Sequence, residues 1–149
     1  MLMHQLVCKK GNIMFESMEY ETAIAGDHET AIAGYGGTAT SGDDGTATAG
    51  NYGTAISGEC GNSTAGFFGT AIAGEYGIAT AGYHGTAMVG MFGIAITGKC
   101  GTATAGDEGR IEIEWFDGKR SRKIIGYIGE DGIEANVSYK VENGKLVKV

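Results

Sequence analysis

The chain has 149 residues, 28 Gly, no Pro and a formal net charge of −7. Leu is almost absent (Leu2, Leu6, Leu146), which excludes a globule built on a core of large aliphatic side chains. The acidic balance argues against direct binding to nucleic-acid phosphates, and no run approaches the ~20 apolar residues of a membrane span.

Residues 1–20 form a leading segment. Leu6-Val7, the turn-like Lys9-Lys10-Gly11-Asn12 and Ile13-Met14-Phe15 suggest a short hairpin or a first irregular coil. The opening MLMHQLVCKK lacks the apolar core and cleavage site of a secretory signal. Cys8, Cys60 and Cys100 are odd in number and show no CxxC spacing. The expectation is a reduced, soluble, cytoplasmic protein without a metal site.

From Glu21 to Glu108 the unit Gly-Thr-Ala-Thr/Ile-Ala-Gly-x-x follows itself eleven times without insertion or deletion. Flexible Gly-rich linkers have no reason to keep such a period, so each copy occupies the same place relative to its neighbour, as in a solenoid. The Thr-Ala-Thr-Ala stretch alternates two side-chain classes, which is strand period, and its β-branched residues favour a strand. The flanking glycines read as turn devices that supply positive φ and close backbone approach.

The variable pair sets the number of octads per coil. Its first member runs Asp27, Tyr35, Asp43, Asn51, Glu59, Phe67, Glu75, Tyr83, Met91, Lys99, Asp107. Alternate members fall into an acidic set and an aromatic set. The true period is therefore 16: an all-β parallel β-helix (β-solenoid) with two octads per coil and two unlike edges, over residues 21–109. Cys60 and Cys100 then lie on opposite edges, too far apart for a disulfide. A tight coil leaves room only for small groups, which places Ala inside and Thr or Ile outside. The reverse packing would bury hydroxyls in need of partners, unless stacked hydroxyl ladders supplied them.

Residues 110–149 break the register and read as a C-terminal β-hairpin cap over the open end of the solenoid. Arg110–Phe116 alternates apolar and polar residues, Asp117-Gly118 is a turn, and Lys119–Ile128 returns. The stretch 126–132 reads as a further turn. A second hairpin follows around Asn143-Gly144. Trp115, Ile111, Ile113, Ile125 and Tyr127 are the expected cover for the last coil.

Little in the chain suggests catalysis: His4, His28 and His84 do not converge, and no fingerprint implies a cofactor. Nine carboxylates between Glu21 and Glu108 face Lys99 as their only base. Two surfaces stand out. Asp27, Asp43, Asp44, Glu59, Glu75 and Asp107 form a candidate acidic interaction face. Tyr35, Tyr52, Phe67, Phe68 and Tyr83 form a candidate contact for a partner or a second copy, since aligned aromatics on a soluble rod mark a contact surface. Two other features are a mixed Thr/Ile array and the basic cluster Lys119, Arg120, Arg122, Lys123.

The octads resemble the repeats of bacterial ice nucleation proteins, whose coils also pair two octads and carry Thr-x-Thr and a tyrosine ladder. Here Ile often replaces the outward Thr, and five coils are too few for ice nucleation. The Gly-Thr-Ala-Thr-Ala-Gly frame, with Trp115–Arg120 and Gly126–Ile133 at its end, is also similar to uncharacterised phage and bacterial octapeptide-repeat proteins. That likeness implies a phage or prophage origin and no established activity. The expectation is a non-enzymatic protein that acts in the host cell, binds and inhibits a protein partner such as a host nucleic-acid-handling or defence complex, and pairs as a homodimer. Ice binding through the Thr/Ile face and a structural place in the virion are the alternatives.

Overall fold

The computed structural model describes residues 13–14 and 20–149. The short hairpin or irregular first coil expected over residues 1–20 therefore lies outside the described residues, apart from Ile13–Met14 and Tyr20, as does Cys8. Among the described residues, twelve short strands precede the tail: β1 Ile13–Met14, β2 Thr22–Ile24, β3 Thr30–Ala33, β4 Thr38–Thr40, β5 Thr46–Ala49, β6 Thr54–Ile56, β7 Asn62–Ala65, β8 Thr70–Ala73, β9 Ile78–Ala81, β10 Thr86–Val89, β11 Ile94–Thr97 and β12 Thr102–Thr104. The tail adds β13 Arg110–Phe116, β14 Ser121–Tyr127, β15 Tyr139–Glu142 and β16 Lys145–Lys148.

Odd strands stack on odd and even on even, giving two sheets ordered β1-β3-β5-β7-β9-β11-β13-β14 and β16-β15-β12-β10-β8-β6-β4-β2. From β2 to β13 every parallel pair is offset by 16 residues, as in Thr22↔Thr38 and Asn62↔Ile78. The chain is thus a β-solenoid of about six coils, each made of two octads. The alternating character of the variable pairs had pointed to this period.

Ala fills the interior. Ala31, Ala39, Ala47, Ala55, Ala71, Ala79, Ala87 and Ala95 have no accessible surface. The Thr and Ile between them face outward, half-buried or exposed. An Ala methyl gains only about 0.8 kcal/mol on burial, against 1.5–3 for Leu. Stability therefore leans on the ladder hydrogen bonds, which continue through the corners: Tyr52 N donates to Phe67 O (2.7 Å) and Cys60 N to Glu75 O (2.8 Å) one coil on.

The corners correct the expected role of the glycines. From Gly34 onward the fourth residue's N–H of each corner turn donates to the first residue's carbonyl, as Gly69 does to Gly66 at 3.1 Å. The left-handed φ falls on the third residue, and that residue is rarely Gly: His28, Asp44, Tyr52, Cys60, Phe68, Tyr76, His84, Phe92, Cys100 and Glu108 all have φ between 52° and 60°. The flanking glycines answer a different demand. A Cβ at Gly82 would sit 2.9 Å from the carbonyl carbon and oxygen of Gly66 in the coil below, and one at Gly69 would sit 2.7 Å from the Ala65 Cβ. They are needed for close approach, not for positive φ.

The tail caps the solenoid. β13 adds to β11 in parallel, β14 returns antiparallel on β13, and β15 closes on β12 through Ala103↔Tyr139. Ile111, Ile113, Ile128 and Tyr139 are buried over the last coil, with Ile133, Val141 and Leu146 packed against them. Two of the expected cover residues are misplaced: Ile125 and Tyr127 are exposed. Residues opposite one another in an antiparallel pair share a face. Ile111 faces Gly126 and Ile113 faces Ile124, so Ile125 and Tyr127 fall on the outer face. Trp115 instead lies against Gly144, where a Cβ would come within 2.7 Å of its ring. The turn expected over 126–132 begins only after Tyr127, because Gly126 and Tyr127 still belong to β14, and it is closed by Gly129 N to Ile133 O (2.8 Å).

Candidate functional site

The two corners of each coil carry different chemistry. One edge presents Asp27, His28, Asp43, Asp44, Glu59, Cys60, Glu75, Tyr76, Met91, Phe92, Asp107 and Glu108. All are exposed, because both members of each pair project away from the turn. The structure thus brings the six acids Asp27, Asp43, Asp44, Glu59, Glu75 and Asp107 onto a single edge.

These acids are not equivalent. Asp43 N donates to Asp27 Oδ1 (3.0 Å) and Glu59 N donates to Asp43 Oδ1 (2.9 Å). On the other edge Phe67 N donates to Asn51 Oδ1 in the same way (3.0 Å). Asp27, Asp43 and Asn51 therefore satisfy a corner amide of the next coil, a task that requires a short side chain with an oxygen. Asp44 lies 3.8 Å from His28 Nδ1, both well exposed. Glu59, Glu75, Asp107 and the adjoining Glu108 have no ion-pair partner among the described residues, and they carry the edge's uncommitted charge. Sequence reasoning missed this division, although a short oxygen-bearing side chain recurring at a spacing of 16 was a visible signal.

The opposite edge carries a continuous run of rings. Tyr20 meets Tyr35 at 6.4 Å, Tyr35 meets Tyr52 at 5.4 Å, and Tyr52 stacks on Phe68 at 5.3 Å and 4°. Phe68 then stacks on His84 at 5.0 Å and 2°, while Phe67 meets Tyr83 at 5.7 Å. Such pairs contribute about 0.5–1.5 kcal/mol beyond their burial. Yet the rings remain open to solvent: Tyr35 is 46% exposed, Tyr52 56%, Phe67 54%, Phe68 48% and Tyr83 39%. Tyr20 and His84 were not among the expected members. A smaller stack, Tyr76 on Phe92 at 5.0 Å, sits on the acidic edge.

The hairpin flanks the aromatic edge at its far end. β13 runs on through Glu114–Phe116 beyond its last partner in β11, and Lys99 Nζ lies 5.2 Å over the Phe116 ring. A shallow groove in this angle is lined by Phe67, Tyr83, Ile96, Lys99, Glu114 and Lys123. The basic cluster is partly committed. Arg122 pairs with Asp117, and Lys123 reaches Glu112 (3.5 Å), which also holds Arg110 (2.7 Å). The amides of Lys119 and Arg120 both donate to Asp117 Oδ1 (2.8 Å). The Arg120 amide, the Arg122 guanidinium and the Lys119 amide together hold the Asp117 carboxyl down at about 2.

The outer face of the even sheet carries an unbroken column of six threonines: Thr22, Thr38, Thr54, Thr70, Thr86 and Thr102. The column beside it is mixed: Ile24, Thr40, Ile56, Ile72, Met88 and Thr104. Cys60 and Cys100 are free and exposed, on opposite edges. Among the described residues no three His, Cys, Asp or Glu side chains converge on a metal-sized site, and no helix is long and apolar enough to cross a membrane.

Comparison with known protein families, curated proteins and solved structures returns no match.

Proposed function

We propose that this protein is a non-enzymatic binding rod. Its acidic edge docks a basic protein surface, and its aromatic edge pairs it with a second copy. The observation that carries this reading is segregation: within one repeating frame, uncommitted carboxylates gather on one edge and the continuous run of exposed rings on the other, the Tyr76–Phe92 stack alone sharing the acidic edge. Pairing through the rings leaves both acidic edges facing outward, so one dimer offers two docking surfaces.

Carboxylates repeated at the coil spacing of ~4.8 Å make a dense negative ladder. Such a ladder steers a basic partner and sets its register, with strong dependence on salt. The likeness to phage repeat proteins directs the search to host complexes that handle nucleic acid or mount defence, whose grooves are basic. Capture from host extract followed by mass spectrometry tests this, with elution by salt as the expected behaviour. Retention unchanged between low and high salt refutes docking through the acidic edge.

The six-threonine column favours one second reading, ice binding through the even sheet, since it presents hydroxyls at a regular register on one sheet face. Thermal hysteresis of the purified protein is the expected sign; its absence removes this reading.

A further inference from the structure

We infer that the second copy pairs antiparallel along the aromatic edge, so that the last coil of each rod lies beside the first coil of its partner. This rests on the homodimer reading above and adds the orientation. The aromatic edge has six levels, from Tyr20 at one end to Lys99 and Cys100 at the other, with rings at the first five. A two-fold axis across the middle sets Tyr52 against Phe67 and Phe68, and Tyr35 against Tyr83. Every ring level then meets a ring level except the ends, where Tyr20 meets Lys99.

Two observations select this arrangement over a parallel one. The first is charge. Glu21 follows Tyr20 at the first level, while the far end holds Lys99 and the hairpin residue Lys123, with Glu114 the one acid beside them. Antiparallel pairing brings opposite signs together at both ends and places Lys99 over the Tyr20 ring, a cation–π geometry it already adopts with Phe116. Parallel pairing sets Lys99 against Lys99 and one Lys123 against the other, and like charges in contact disfavour it. The second is shape. The hairpin overruns the corner at one end of the edge only, through Glu114–Phe116. Two parallel copies would bring both overhangs to the same place, whereas in antiparallel copies each overhang passes the partner's first coil. Area supports the pairing itself. Six rings between 39% and 74% exposed, at roughly 200 Å² each, offer about 600 Å² per copy. The flanking hairpin brings this near the ~800 Å² per partner of a stable interface.

The test combines light scattering after size exclusion with a spin-label distance. A nitroxide is placed on Cys100 in a Cys8→Ser/Cys60→Ser background, which leaves the ring ladder intact. Antiparallel copies place the two labels five levels apart, about 25 Å. Parallel copies place them side by side, under about 15 Å at the same spacing rule. In the unlabelled protein, Lys99→Glu should weaken an antiparallel dimer about fivefold at low ionic strength, because each copy loses one favourable end contact. A dimer mass with the longer distance and the weakened variant supports the inference. A dimer mass with the short distance overturns the orientation and leaves the homodimer standing. A monomer at high concentration overturns both.

Discussion

Replacing Gly69 by Ala should destabilise the protein, against the usual direction of such a change. Gly69 has no left-handed φ. Where an Ala side chain fits without strain, Gly→Ala stabilises by about 0.4–1 kcal/mol, because the unfolded chain loses freedom. Here the new Cβ would meet the Ala65 Cβ at 2.7 Å and the carbonyl oxygens of Gly53 and Gly66 at 3.0 Å. Two of those contacts are backbone, and the third side chain has no rotamer to yield. The coil must open by a few tenths of an ångström against ladder hydrogen bonds on both sides, and overpacking of this kind costs about 1–3 kcal/mol. The expected net loss is about 1–2 kcal/mol. The companion change is Cys60→Gly, at φ 52° on an exposed corner. Relief of the left-handed cost, about 1–2 kcal/mol, outweighs the added chain entropy of about 0.5–1 kcal/mol. It should stabilise by about 0.5 kcal/mol. Urea unfolding followed by far-UV circular dichroism reads both as midpoint shifts at constant slope. Hydrogen exchange at the affected coil guards against local opening, which repeat proteins permit. A neutral or stabilising Gly69→Ala, or a Cys60→Gly that loses more than about 1 kcal/mol, refutes the division of labour assigned to the corners.

Other consequences follow from single side chains. Asp43→Asn should keep the fold, since Asn51 caps the same amide on the other edge, whereas Asp43→Ala should cost about 1 kcal/mol in chemical unfolding. Ser41 occupies an interior position otherwise held mostly by Ala, and its hydroxyl is buried without a partner among the described residues, so Ser41→Ala should raise the urea midpoint. The Asp117 carboxyl titrates at about 2 instead of 3.8, so its support of the hairpin tip is present above the unfolded value and lost as pH falls through about 2. The Lys119 and Arg120 amide resonances should shift with that midpoint; a midpoint near the ordinary carboxylate value contradicts the assigned hydrogen bonds.

The coil period was legible because charge and aromaticity alternate between octads, which ties chemistry to the corner each pair occupies. The Ala interior was legible because only small groups fit a coil of that size. The identity of the left-handed residues was not. Side chains as unlike as His28, Tyr52, Cys60 and Phe92 share that conformation, because each projects into solvent and pays the same backbone cost. Residue preference therefore leaves no trace there, while the glycines that do persist mark contact with the neighbouring coil. The cap was legible in its strands but not in its faces. Which of Ile124 and Ile125 points inward depends on the length of the turn around Asp117, and Phe116↔Ser121 is the pair that fixes it. The two classes of acid were hidden because a capping Asp and an uncommitted Glu look alike until the corner amides are placed.

The docking role of the acidic edge is tested most directly by comparing two baits in one capture experiment from host extract. One is the wild-type rod; the other carries Glu59→Gln, Glu75→Gln and Asp107→Asn, which removes uncommitted charge and leaves the capping Asp27 and Asp43 in place. A partner held by the wild type at low salt should be lost both on raising the salt and on neutralising those three carboxylates. The same partner retained by the neutralised rod, or by the wild type in high salt, contradicts the account.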